Sequence, residues 1–97
     1  MTPEAKVKAK VRRILDELDI YYFFPPANGY GRAGIPDVIG CVNGRFIAIE
    51  CKAGKNTTTA LQERELQRIT DAGGFAMVVN EENIEELKEE LLWLYRT

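Results

Sequence analysis

Apolar residues recur at helical spacing near the amino terminus, at Val7, Val11, Ile14, Leu15 and Leu18. The spacing predicts an amphipathic helix from about Pro3 to Leu18, with Thr2 as N-cap and Pro3 in the first helical position. Ile20 to Phe24 reads as a strand stopped by Pro25-Pro26, and a loop holding Gly29, Gly31 and Gly34 follows. Two apolar runs, Val38–Val42 and Arg45–Cys51, are joined by Asn43-Gly44, the strongest short-range signal for a two-residue type I′ hairpin turn. A second helix is expected from about Ala60 to Ala72, ended by Gly73-Gly74, then a short strand from Phe75 to Val79. A third helix is expected from about Glu81 to Tyr95, with Asn80 as candidate cap. The elements therefore run α-β-β-β-α-β-α within one α/β domain, residues 1–97, without internal repeat or linker.

The hairpin turn fixes a register in which paired positions sum to 87. Asp37 then falls opposite Glu50 on one face, with Cβ atoms roughly 4.5–5.5 Å apart, and strand alternation puts Lys52 on the same face. Like charges directly opposite each other destabilise a sheet unless something cationic sits between them. Glu-x-Lys is common on wet strands, but here the charged residues occupy the ends of an apolar hairpin. The layout points to a divalent-metal site. The same register puts Cys41 on the Asp37 face and Cys51 on the other, so no disulfide is expected between them, and both read as small core hydrophobes.

Histidine is absent. That excludes His general bases, His-metal nucleases and the usual zinc sets. Any hydrolysis must rest on carboxylates, lysine and a hard, oxygen-loving cation. The 97 residues, 45% hydrophobic and 29% charged, suit one ordinary globular domain. Nothing reads as a secretory signal, and no apolar run approaches the ~18 residues of a membrane span. A soluble, cytoplasmic protein with no membrane partner is expected.

The ordered set Gly34-x-Pro36-Asp37, hairpin, Glu50-x-Lys52, then Gln62 opening a helix, resembles the VRR-NUC family, a branch of the PD-(D/E)XK nuclease superfamily. The spacing agrees from Glu4 to about Val79, and the length resembles the short stand-alone members of viruses and bacteria. The resemblance implies a restriction-endonuclease-like core, a mixed central sheet flanked by helices, and a bacterial cell or virus-infected host cell as the setting. It also implies metal-dependent hydrolysis of DNA phosphodiester bonds. Asp37 and Glu50 would hold Mg²⁺ or Mn²⁺, with the backbone carbonyl of Cys51 as a further ligand and Lys52 orienting a water and stabilising charge at the phosphate.

Two further residues have two readings each. Glu4, in the first turn of helix one, suits the helix dipole without any other role; the resemblance makes it a tentative completing metal ligand. Thr59-Ala60-Leu61-Gln62 matches a capping box; the resemblance turns Gln62 into the site to position the water or the phosphate.

Charge is uneven despite a net value of −2. Residues 1–13 carry net +4, from Lys6, Lys8, Lys10, Arg12 and Arg13 against Glu4, whereas residues 81–97 carry net −4. Phosphate is expected along the amino-terminal face, with Lys6, Lys10, Arg13, Arg32 and Lys55 as candidate DNA contacts, and helix three turned away. Apolar residues on helix three (Ile84, Leu87, Leu91 and Leu94, widened by Leu92, Trp93 and Tyr95) suggest that this end contributes to a homodimer. A dimer presents two sites, the number needed for paired cuts across a four-way junction. Stand-alone members of the family resemble Holliday-junction resolvases in size and fold, so the resemblance together with this symmetry implies a structure-selective, Holliday-junction-resolvase-like endonuclease. The alternatives are a general DNA endonuclease without junction preference, or a non-catalytic DNA-binding module that keeps the fold.

Overall fold

The computed structural model describes residues 1–26 and 32–97. Its elements are α1 (Pro3–Glu17), β1 (Tyr21–Phe23), β2 (Val38–Val42), β3 (Arg45–Cys51), α2 (Ala60–Asp71), β4 (Phe75–Val79) and α3 (Ile84–Arg96). This is the expected order. The strands form one sheet in the order β1-β2-β3-β4, with β1–β2 and β2–β3 antiparallel and β3–β4 parallel. The parallel pair requires a crossover, and α2 supplies it.

The hairpin forms in the expected register, Val42 opposite Arg45 and Val38 opposite Ile49. Asn43 and Gly44 both adopt positive φ, 50° and 80°, as a type I′ turn requires. The Asn43 side-chain amide also donates to the Leu94 carbonyl (3.3 Å), tying the turn to the end of α3.

Strand alternation divides the sheet into two faces. Val38, Val42, Ile47, Ile49, Cys51 and Val79 point to one face, where they pack with Val7, Val11 and Leu15 of α1 and Ile84, Leu87, Leu91 and Leu94 of α3. This is the main core. The other face carries Ile39, Cys41, Phe46 and Ala48, and α2 lies over its β4 side. Ile69 of α2 meets the chain at Gly74, where an added Cβ would lie 2.9 Å from the Ile69 side chain. None of the described helices is long and apolar enough to cross a membrane.

Three expectations need correction. The third helix starts at Ile84, because Asn80 takes the preceding residues into a turn of its own. Asn80 Oδ1 accepts from the backbone N–H groups of Glu82 and Asn83, and Asn83 Oδ1 accepts from that of Asn80. The first strand is three residues long, since Ile20 and Phe24 turn into the core packing. Cys41 is exposed, whereas Cys51 is buried as expected; α2 does not reach across to β2's outer end. As expected, Ile84, Leu87, Leu91 and Leu94 of α3 join the core while Trp93 and Tyr95 remain exposed, with Arg45 over the Trp93 ring at 5.5 Å.

Candidate active site

Asp37 immediately precedes β2, and Glu50 and Lys52 lie at the opposite-running end of β3. The register carries Asp37 to Glu50, and hydrogen bonds lock the pair. The Asp37 backbone N–H donates to Glu50 Oε1 (3.2 Å), and the Cys51 backbone N–H donates to Asp37 Oδ2 (2.9 Å). Gly34 makes this approach possible. Its φ is +84°, and a Cβ there would lie 2.5 Å from the Leu61 carbonyl oxygen, so the Gly34–Pro36 segment packs directly on the first turn of α2.

Cations already gather at the two acids. Lys52 Nζ lies 3.4 Å from Glu50 Oε2, on the shared face that strand alternation requires. Lys8 Nζ lies 3.6 Å from Asp37 Oδ1 and 3.8 Å from Glu4 Oε2, so α1 contributes a second ammonium between two carboxylates. Glu4 therefore does reach the neighbourhood of the site, through Lys8. No group of three or more His, Cys, Asp or Glu side chains suited to a metal occurs among the described residues. The carboxylate donors brought into mutual contact are Asp37 and Glu50.

Burial makes the pair electrostatically demanding. Glu50 is 3% exposed, and its carboxyl is pushed up to about 7, first by burial and then by the Asp37 charge, with Lys52 opposing. Burial also pushes the Cys51 thiol up to about 12, with Asp37 and Glu50 adding to the effect. That thiol stays protonated and contributes its backbone to the site rather than its sulfur. Two hard carboxylate donors facing each other, one held near the neutral range by burial and by its neighbour, are a donor set that Mg²⁺ or Mn²⁺ fits.

Gln62 forms the capping box. Its backbone N–H donates to Thr59 Oγ1 (3.2 Å), and its Oε1 accepts from the Thr59 backbone N–H (2.9 Å). The oxygen of its amide is thus engaged at the helix start. Arg32 is also engaged: Nε donates to Glu65 Oε1 at 2.7 Å, with Glu65 buried on α2 and the Arg32 side chain largely exposed. Lys6, Lys10 and Arg13 share an exposed side of α1, and Lys55 is exposed in the loop after β3. The amino-terminal side is less purely basic than expected. Glu81 accepts from the Gly54 backbone N–H (3.0 and 3.2 Å) next to Lys55, and its own backbone N–H, that of Gly54 and, to a lesser degree, Lys10 lower its carboxyl. The glycine-rich loop expected over Ala27–Gly31 falls outside the described residues.

Sequence reading missed Lys8 as a site residue and Glu65 as the partner of Arg32. Lys8 had a usable signal: it sits four residues after Glu4 on one side of α1, an arrangement in which opposite charges meet. Glu65 had none, since its partner lies 33 residues away.

The family model for the archaeal Holliday junction resolvase (Hjc) matches residues 9–88 of this chain. Among solved structures, one described as a VRR_NUC domain protein is similar, with a TM-score of 0.74 at 21% identity, covering 96% of this chain and 90% of its own. At that identity the likeness shows a common fold. A search of curated proteins finds no match.

Proposed function

Because the chain belongs to the archaeal Holliday junction resolvase (Hjc) family of nucleases, we propose that it is a divalent-metal-dependent endonuclease that cuts branched DNA, with Asp37, Glu50 and Lys52 at its centre. The observation that carries this reading is the locked Asp37–Glu50 pair at the end of the sheet, with Lys52 against it. A buried carboxylate set against a second, half-buried one has little stabilising value of its own; a bound cation gives the pair one.

Asp37 and Glu50 would hold Mg²⁺ or Mn²⁺, with the Cys51 carbonyl as a third ligand from the same strand. The ion, when bound, lowers the pKa of a coordinated water and offsets charge on the phosphate. Everything else falls to the chain. Lys52, a compact cation beside Glu50, orients the attacking water and stabilises negative charge developing on the phosphate. Lys8, 3.6 Å from Asp37 Oδ1, would be free to meet the phosphate where a bound cation neutralised that carboxylate. Glu4 then serves as an outer acid that holds Lys8. The Nε2 of Gln62 faces the task of positioning the water while its Oε1 caps α2.

Lys6, Lys10 and Arg13, spaced on one side of α1, would follow the phosphate backbone, with Lys55 and the free edge of Arg32 as further contacts. Junction selectivity fits a homodimer, which presents two sites for paired incisions.

The test compares a labelled immobile four-way junction with a linear duplex of matching sequence, each with Mg²⁺, Mn²⁺ or chelator. Metal-dependent paired cuts confined to the branch are expected. Equal cutting of both substrates would keep the nuclease and remove the junction preference. Failure to cut either substrate with either metal would remove catalysis and favour a binding module.

A further inference from the structure

The acid pair shares its face of the sheet with a series of exposed aromatics. From Asp37 and Glu50, alternate positions run on through Ile39 and Cys41 of β2 and through Ala48 and Phe46 of β3. Strand β1 extends these rows: Phe23 lies opposite Ile39, and Tyr21 lies opposite Cys41. Each row stands roughly 7 Å from the last, so Phe23 is one step from the acids, and Tyr21 with Phe46 is two. Gly40 lets β1 seat closely on β2, since a Cβ there would lie 2.4 Å from the Tyr21 carbonyl oxygen. Tyr21 is 71% exposed, Phe23 47% and Phe46 45%. Three aromatics at these exposures leave on the order of 300 Å² open, the size at which an apolar patch marks an interaction site.

Between this patch and α2 runs a groove of about 390 Å³. Pro36, Ile39, Phe46 and Ile69 give it apolar walls, and Arg32 and Arg68 bring guanidinium groups to it. Glu65 is the one acid of its lining, and it is buried and tied to Arg32 Nε at 2.7 Å. Among the described residues no carboxylate pairs with Arg68, which is exposed. Flat apolar surface beside cations suits a nucleotide, whose base is apolar on its faces and whose phosphate is anionic.

We propose that unpaired nucleotides of the substrate strand lie along this face beside the cut, their bases stacked on Phe23, Tyr21 and Phe46 and their phosphates on Arg32 and Arg68. The proposal rests on the nuclease reading above and names the state of the strand that the site takes. One row of the sheet matches the span of one nucleotide in an extended strand. A strand whose phosphate reaches Asp37 and Glu50 therefore carries its next bases over Phe23 and then over Tyr21 and Phe46. Stacking needs an open base face. In a duplex the neighbouring pairs cover both faces of every base, so the aromatics gain nothing from paired DNA. Where strands part, at a branch point or in a single-stranded segment, the bases come free and the aromatics can hold them. The face thus selects an unpaired stretch next to the cut, and does so within one chain, independently of how many sites are presented together.

Cys41, exposed between Tyr21 and Phe46, reports on this face, since Cys51 is buried in the core. With chelator present, so that nothing is cut, the experiment follows Cys41 modification by N-ethylmaleimide and DNA binding by fluorescence anisotropy. The probes are an oligothymidylate of about twelve nucleotides and a linear duplex. Wild-type Cys41 is expected to react readily alone, severalfold more slowly with saturating oligothymidylate, and at an unchanged rate with saturating duplex. Tyr21→Ala and Phe23→Ala, both at exposed positions, should each weaken oligothymidylate binding about fivefold or more and leave duplex binding unchanged. Arg68→Gln should lower the salt slope of oligothymidylate binding by about one. Slow Cys41 in the protein alone would give the face to protein, a second copy included, and overturn the stacking site. Equal protection by duplex, or aromatic variants that weaken both probes alike, would also overturn it. The protection is read on wild type, so a variant that fails to fold does not remove the test. Junction cutting with Mg²⁺ is measured separately. A wild type that cuts while oligothymidylate leaves Cys41 unprotected loses this site and keeps the nuclease; protection without cutting keeps this site and loses the nuclease.

Discussion

The face of the sheet under α1 and α3 and the face under α2 are built from alternate residues of the same strands, yet they do different work. On the first, Val38, Ile47 and Ile49 meet Val11, Leu15, Leu87 and Leu91 with almost no exposure. On the second, exposed aromatics at Tyr21, Phe23 and Phe46 give way along the strands to the half-buried Asp37 and the buried Glu50. The first face gives stability and tolerates no charge. The second carries the destabilising groups: a like-charged pair, a buried glutamate on α2 and an open aromatic patch. A core closed on one side is what lets the other side hold strained electrostatics in place.

This contrast breaks most sharply at Asp37. Asp37→Asn should lower metal-dependent junction cutting by about a thousandfold or more, while its metal-free melting temperature stays equal to or above that of wild type, because a like charge has been removed. A melt that collapses together with activity would make Asp37 structural. Next comes the closed face. Leu91→Ala, fully buried, should cost about 2–5 kcal/mol in urea unfolding. A cost under about 1 kcal/mol would mean that this face is not the main core.

Glu50→Gln should act in the opposite direction to a core mutation. The Glu50 carboxyl is raised to about 7 by burial and by Asp37. Between its ordinary value and about 7 the folded state holds a proton that the unfolded state has lost, so metal-free stability falls as pH rises through that window. The amide does not titrate. At pH 8 the variant should therefore exceed wild type by about 1–3 kcal/mol, with the gap closing as pH falls toward 4; a gap independent of pH would contradict the electrostatic cause. The smallest effect belongs to Gln62→Ala, which removes half of a capping box and should cost about 0.5–1 kcal/mol. Cutting reduced far beyond that loss would establish a role for its Nε2 at the phosphate. A loss of cutting no larger than the melt explains would leave Gln62 a cap alone.

The legible parts of the molecule were those set by local chemistry. Asn43-Gly44 dictated its turn, the turn dictated the register, and the register brought Asp37 to Glu50 over 13 positions. Helix periods placed the α1 and α3 stripes correctly. Less legible was whatever depended on tertiary approach. The contact of Lys8 with Asp37 requires α1 to lie across the sheet end, and the exposure of Cys41 depends on how far α2 extends over the strands. Excess apolar residues on α3 were legible, and Trp93 and Tyr95 do stay exposed; the open aromatics on β1 and β3 were not, because alternation alone cannot say which face receives a helix. Asn80 was the expected cap by type, but its reciprocal hydrogen bonds with Asn83 hold it in the preceding turn, and the helix begins after Asn83.

The central claim, that the acid end of the sheet is a cation site, is tested most directly by titrating Mn²⁺ into wild type and Asp37→Asn and following free Mn²⁺ by electron paramagnetic resonance at pH 8 and pH 6. The account predicts binding by wild type that weakens at pH 6, as Glu50 takes up its proton, and that is lost in Asp37→Asn. Equal Mn²⁺ binding by both proteins at both pH values would contradict it.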